Sequence, residues 1–196
     1  MSRRPIVALT LAALAAGCRG AGEGEARAAV RVDSARAVPQ ALTAFRAGLP
    51  RVSGLGGAYA GDRDALVRRF VAALEASDSA AFMPMMLSRA EFAWLYYETD
   101  PQAKPPYELP PGLMWSQAMQ QGEKGISRAL ERFGGRPLAF RGYTCAREEV
   151  RAPNRVWTGC RLDVVSTDGA RAKVRLFGGI VERGGRYKIL SYANDL

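Results

Sequence analysis

The stretch VWTGCRLDVVSTDGARAKVRLFGGIVERGGRYKILSYA, residues 156–193, alternates apolar and polar side chains and is cut by Asp168-Gly169 and Gly184-Gly185. A period of two marks half-buried strands, and Asp-Gly or Gly-Gly between such runs favours tight hairpins. The pattern predicts strands over 156–166, 171–182 and 186–193. Upstream, 138–149 alternates in the same way and reaches the next run through Arg151-Ala152-Pro153-Asn154. Four strands joined by three hairpins make an antiparallel meander. Val156, Thr158, Cys160, Leu162 and Val164 share one face of the second strand, and Ala172, Val174, Leu176 and Ile180 share one face of the third. Arg161, Arg171, Lys173 and Arg175 point the opposite way, so one face of the sheet is expected to seek helices and the other to meet water.

The residues before the sheet repeat at helical spacing. Leu66, Val67, Phe70, Val71 and Leu74 lie on one stripe of a helix that Asp62 or Asp64 can cap and that runs to about Ala76. Ser77, Asp78 and Ser79 restart the chain into a short helix interrupted near Pro84. Ser88-Arg89-Ala90-Glu91 has the form of a capping box and opens a helix through Tyr97 whose apolar residues nearly surround its axis. A third helix is expected from Pro111 to Phe133, with Gly122 and Gly125 as points where it would divide in two. Pro39 to Ala47 suits a short helix, while Gly54 to Gly61 reads as loop.

The N-terminus has a different composition. Arg3 and Arg4 precede an apolar and small-residue run over 6–16 that is shorter than the roughly 20 residues a bilayer span requires. This is the layout of an export signal. The segment Leu14-Ala15-Ala16-Gly17-Cys18 resembles the lipobox of bacterial lipoproteins, with Leu one place earlier than in the usual pattern. The resemblance implies loss of residues 1–17 and acylation of Cys18, which would anchor the chain at a membrane surface, on the periplasmic face or outside the cell. Residues 18–60 then read as a lipidated tether and linker, and 61–196 as the folded domain.

Export also gives the other two cysteines a meaning. A hairpin turning at the centre of Arg151–Asn154 sets Cys145 directly opposite Cys160, within reach of a disulfide. Two buried thiols or a redox pair are the alternatives, although Cys-x-x-Cys spacing is absent.

Helices followed by a curved antiparallel sheet resemble the cone-shaped α+β fold of the NTF2-like (SnoaL-like, cystatin-like) superfamily over about Gly61 to Leu196. The likeness lies in the order of elements, and the proline-rich Thr99 to Pro110 departs from the strand or hairpin usual there. The resemblance implies a pocket between the concave sheet face and the first helices. It also covers isomerases, dehydratases, ligand binders and structural modules, so it does not choose a function.

The chain has no histidine, which excludes His-based triads and the usual zinc sites. Asp62, Asp64 and Asp78 are explained as caps, and Gly54-Leu55-Gly56-Gly57 lacks the Lys-Ser/Thr of a phosphate loop. No metal, cofactor or nucleic-acid site is expected. The net charge of +9 is discounted because only four of the 28 basic residues are lysine, a bias that genomic base composition can produce. Trp94, Tyr96, Tyr97, Tyr107 and Trp115 are either core or the walls of an apolar pocket, and Glu91 is either a cap or an acid inside that pocket. The leading expectation is a non-catalytic envelope lipoprotein that binds a small apolar ligand or a partner protein. An isomerase- or dehydratase-like enzyme with an acid–tyrosine pocket is the first alternative. An assembly factor that uses the basic face of Arg161, Arg171, Lys173 and Arg175 is the second.

Overall fold

The computed structural model describes residues 38–196 except 58, 61 and 167. The proposed export signal and Cys18 lie outside the described residues. The described chain is an α+β domain of helices and antiparallel sheets.

Helix α1, Val38–Arg46, buries Leu42 and Phe45. After the two-residue strand β1, Tyr59–Ala60, helix α2 runs Arg63–Glu75. Asp62 caps it by accepting from the Ala65 backbone N–H at 2.8 Å, and the expected stripe from Leu66 to Leu74 is buried. Asp78 caps the next turn, which leads into α3, Phe82–Met85. The capping box of Ser88 and Glu91 opens α4, Arg89–Glu91.

The helix expected through Tyr97 loses its regular winding after Glu91. Phe92–Tyr96 forms a widened π turn and Tyr97–Thr99 a tight 3-10 turn. The cause is competition for carbonyls. Ala93 O accepts from Arg46 Nε and Nη2 at 3.0 and 2.8 Å, and Leu95 O accepts from Asn154 Nδ2 and Arg183 Nη1 at 2.8 and 3.2 Å. Side chains from α1 and the sheet thus satisfy backbone groups that a helical ladder would otherwise use.

Helix α5, Pro111–Phe133, is continuous, so Gly122 and Gly125 do not divide it. They serve close approach instead. A Cβ on Gly125 would stand 1.8 Å from the Tyr192 carbonyl oxygen, and Asn194 Nδ2 donates to Gly125 O at 2.7 Å. The bare helix surface lets the C-terminal segment lie directly on the backbone.

The meander is present, but three of its four strands are bent. The first expected strand becomes β2, Gly142–Thr144, and β3, Arg147–Arg151; the second becomes β4, Asn154–Thr158, and β5, Arg161–Val165; the third becomes β6, Arg171–Val174, and β7, Gly179–Arg183. Only β8, Arg186–Ser191, stays whole. The pieces sort into a five-stranded sheet, β1-β8-β7-β4-β3, and a three-stranded sheet, β2-β5-β6. The expected single four-stranded sheet is therefore two sheets. Gly159, with φ +65°, and the packed pair Gly178-Gly179 sit at the fold line, where a Cβ on Gly179 would come within 2.7 Å of the Trp157 carbonyl. At this bend Cys145 and Cys160 form a disulfide, in line with the β3–β4 register that pairs Arg147 with Thr158.

Bending redistributes the sheet faces. Cys160, Leu162, Val164 and Leu176 enter one core with α2 and Phe133 of α5, but Val156 joins a second core, while Trp157 takes the first. The five-stranded sheet is consequently covered on both faces, against the expectation of one wet face; Val156 and Val181 meet the second core and Trp157, Ile180 and Ile189 the first. Leu42, Phe45 and Leu55 belong to the second core, so part of the stretch read as linker is built into the domain.

Candidate functional site

A cavity of about 280 Å³ lies between the Leu87–Gln102 segment, α5 and the ends of β7 and β8. Its floor comes from buried Leu87, Phe92 and Met114 together with half-buried Leu190. Exposed Gln102, Gln117 and Gln121 mark the side open to solvent. Met114, Gln117, Ala118 and Gln121 reach it together because they repeat along one face of α5. Tyr96, Trp115, Asp100, Gly178 and Ser191 complete the lining.

One polar brace stands behind this wall. Arg151 donates through Nε and Nη2 to Glu149 Oε2 at 3.0 and 2.8 Å, and through Nη1 to the Tyr96 hydroxyl at 3.1 Å and to Asp100 Oδ2 at 3.4 Å. Asp100 Oδ1 accepts from the Gln102 backbone N–H at 2.8 Å and so caps the turn Pro101–Ala103. Burial, and after it the charge and hydrogen bond of Asp100, raise the Tyr96 phenol well above its ordinary range. The hydroxyl therefore stays protonated and can act only as a donor or a neutral acceptor.

Of the residues singled out from the sequence, Tyr96 and Trp115 line the cavity and Glu91, Trp94 and Tyr97 do not. Glu91 is buried in a different brace. Its Oε1 accepts from Gly56 N at 2.6 Å, while Oε2 accepts from Ser88 N at 2.7 Å and from Lys188 Nζ at 2.9 Å. The carboxylate joins a loop, a helix start and a central strand, and it does not line the cavity beside α5. Trp94 lies beneath the guanidinium groups of Arg46 and Arg51, at 4.3 and 5.4 Å, and its indole N–H is buried with no hydrogen-bond partner among the described residues. Tyr97 is a core residue whose hydroxyl donates to Leu109 O at 2.8 Å, and Tyr107 is exposed.

The basic residues on this side of the three-stranded sheet do share a surface, but two carboxylates offset half of their charge. Arg171 pairs with Asp163 at 2.6 Å, and Arg161 and Arg175 both pair with Asp195. Arg175 holds the Asp195 carboxyl below its ordinary range through that hydrogen bond. Lys173 lines a shallow hollow with Arg141, Tyr143 and Arg161. Tyr143 bonds Asp64 and Arg63, each at 2.8 Å, and its phenol is pushed up to about 12 by burial and then by the Asp64 bond.

Among the described residues no group of three or more His, Cys, Asp or Glu side chains is placed to hold a metal, and no helix is long and apolar enough to cross a membrane. The chain matches no family model, no curated protein and no solved structure significantly. The chemistry of the site therefore rests on its own residues.

Asp100 and the three glutamines were not singled out from the sequence. Asp100 opens a proline-dense segment and caps its first turn. The available signal was Phe92, Tyr96 and Asp100 at successive spacings of four.

Proposed function

We propose that the chain is an envelope lipoprotein whose NTF2-like domain holds a small, largely apolar ligand and does no chemistry on it. One observation carries this reading: a solvent-connected cavity of about 280 Å³ whose floor is Leu87, Phe92, Met114 and Leu190 and whose side wall is Trp115. The cavity has an apolar floor but exposes about as much polar as apolar surface in its lining, which suits a small ligand with an apolar body and a polar end. Helices preceding a bent antiparallel meander support the NTF2-like reading, and the Cys145–Cys160 disulfide suits an oxidising compartment.

The site is tested with N-phenyl-1-naphthylamine, a neutral apolar dye that brightens when it leaves water. The expected result is saturable binding of one dye per chain, abolished by Ala118→Trp, which fills the cavity from the face of α5. Unsaturable binding, or unchanged binding in a folded A118W chain, would contradict the reading.

The address is tested separately with radioactive palmitate in cells that make the full chain. Label should appear in the wild type and vanish in Cys18→Ser. An unlabelled wild-type chain that keeps residues 1–17 would refute export and lipidation.

The enzyme alternative draws on a specific observation, the juxtaposition of Tyr96 and Asp100 in the cavity wall. It needs a carboxylate free to take a substrate proton. Asp100 instead spends Oδ1 on Gln102 and Oδ2 on Arg151, so the binding reading fits better. The basic-face alternative is weakened by the ion pairs that occupy Arg161, Arg171 and Arg175.

A further inference from the structure

The chain carries a net charge of +9, yet among the described residues no lysine or arginine lines the cavity, and Asp100 is the one charged residue in its lining. A site in a basic protein whose wall is anionic has a definite electrostatic preference. Arg151 is ion-paired to Asp100 at 3.4 Å, but the same guanidinium also holds Glu149 at 3.0 and 2.8 Å, so one cation serves two carboxylates and the group keeps a net negative charge. Arg151 lines a separate outer hollow with Glu149 and Lys104.

Three of the other lining residues, Phe92, Tyr96 and Trp115, are aromatic. The Phe92 ring stands 6.1 Å from Tyr96 and 5.5 Å from Trp115, tilted by 38° and 44°, and all three side chains line the cavity. Rings set at angles around one space present quadrupoles that attract a cation without requiring it to be fully hydrated. Met114 adds a polarisable thioether. A metal ion would find too few ligands, because calcium takes about 6–8 oxygens and this wall offers one carboxylate with isolated amides and hydroxyls. A small ammonium bearing several methyl groups matches both halves of the site, its charge toward Asp100 and its methyl surface toward the rings.

We infer that the cavity selects an organic cation, an alkylated ammonium, held by Asp100 within a wall of Phe92, Tyr96 and Trp115. This deepens the small-ligand reading and rests on it. The test is calorimetric titration of the full chain at constant ionic strength with choline and with 3,3-dimethylbutan-1-ol, which replaces the quaternary nitrogen by carbon. Choline is expected to bind at least tenfold more tightly than the alcohol. Asp100→Asn, which keeps an oxygen for the Gln102 N–H, should weaken choline at least tenfold and the alcohol by a much smaller factor. Trp115→Leu should likewise weaken choline more than the alcohol. Equal affinities for the two probes would overturn the inference while leaving the apolar-ligand reading intact. Failure of choline to bind a chain that still binds the neutral dye would also overturn it. Failure of the dye as well would remove both.

Discussion

Replacing Lys188 with methionine is expected to lower the unfolding free energy by about 3–5 kcal/mol, the range for a buried ion pair that loses one partner. The side chains of Lys188 and Glu91 are 6% and 4% exposed, so neither charge has water to fall back on. Methionine fills most of the lysine's volume but leaves the Glu91 carboxylate with two backbone N–H groups and no cation. Against a total stability of about 5–15 kcal/mol for an ordinary domain, the loss is large. Chemical denaturation of the variant measures it. Combining K188M with Glu91→Gln should recover part of the stability, since the uncompensated charge disappears and an oxygen remains for the cap. If K188M is as stable as the wild type, the pair does not brace the domain.

The second large effect concerns the bend. Cys145 and Cys160 close a loop with a sequence separation of 15, and such a cross-link contributes about 3 kcal/mol in the chain-entropy account. Reduction by dithiothreitol should therefore lower the denaturation midpoint substantially. The Cys145→Ala/Cys160→Ala double variant should fall further than the reduced wild type, because Cys160 is fully buried in the first core and loses its sulfur. A midpoint that does not move on reduction would mean that the strand turns at Gly159 and Gly178-Gly179 hold the bend unaided.

These expectations show which parts of the fold a linear reading can reach. The register of the Arg151–Asn154 hairpin was accessible because a turn and two cysteines constrain the same set of opposed positions. The bend was not, because alternation continues through it. Val156 and Cys160 have the same parity yet enter different cores, and only the crowding around Gly159 and Gly179 reveals the break. The helix after Ser88 was legible at its start, where capping is local. Its unwinding depends on Arg46, Asn154 and Arg183, which lie far away in sequence. Glycines in α5 carried the same ambiguity, since a helix breaker and a point of close backbone approach look identical until the neighbour, here Tyr192, is in place.

The site divided along the same line. The aromatic residues left core and pocket wall both open; Tyr96 and Trp115 line the cavity, while Tyr97 is core. Glu91 attracted attention as an acid within an apolar run, but Lys188, 97 residues later, claims it. The acid at the cavity is instead Asp100, which also caps the turn Pro101–Ala103.

The cavity beside α5 is the proposed place of ligand binding. The most direct measurement is the methyl resonance of Met114 on the cavity floor during titration with the neutral dye, with exposed Met83 as an internal reference. The predicted result is a saturable shift at Met114 that tracks the fluorescence while Met83 stays fixed. Saturable fluorescence with Met114 unmoved would contradict the account.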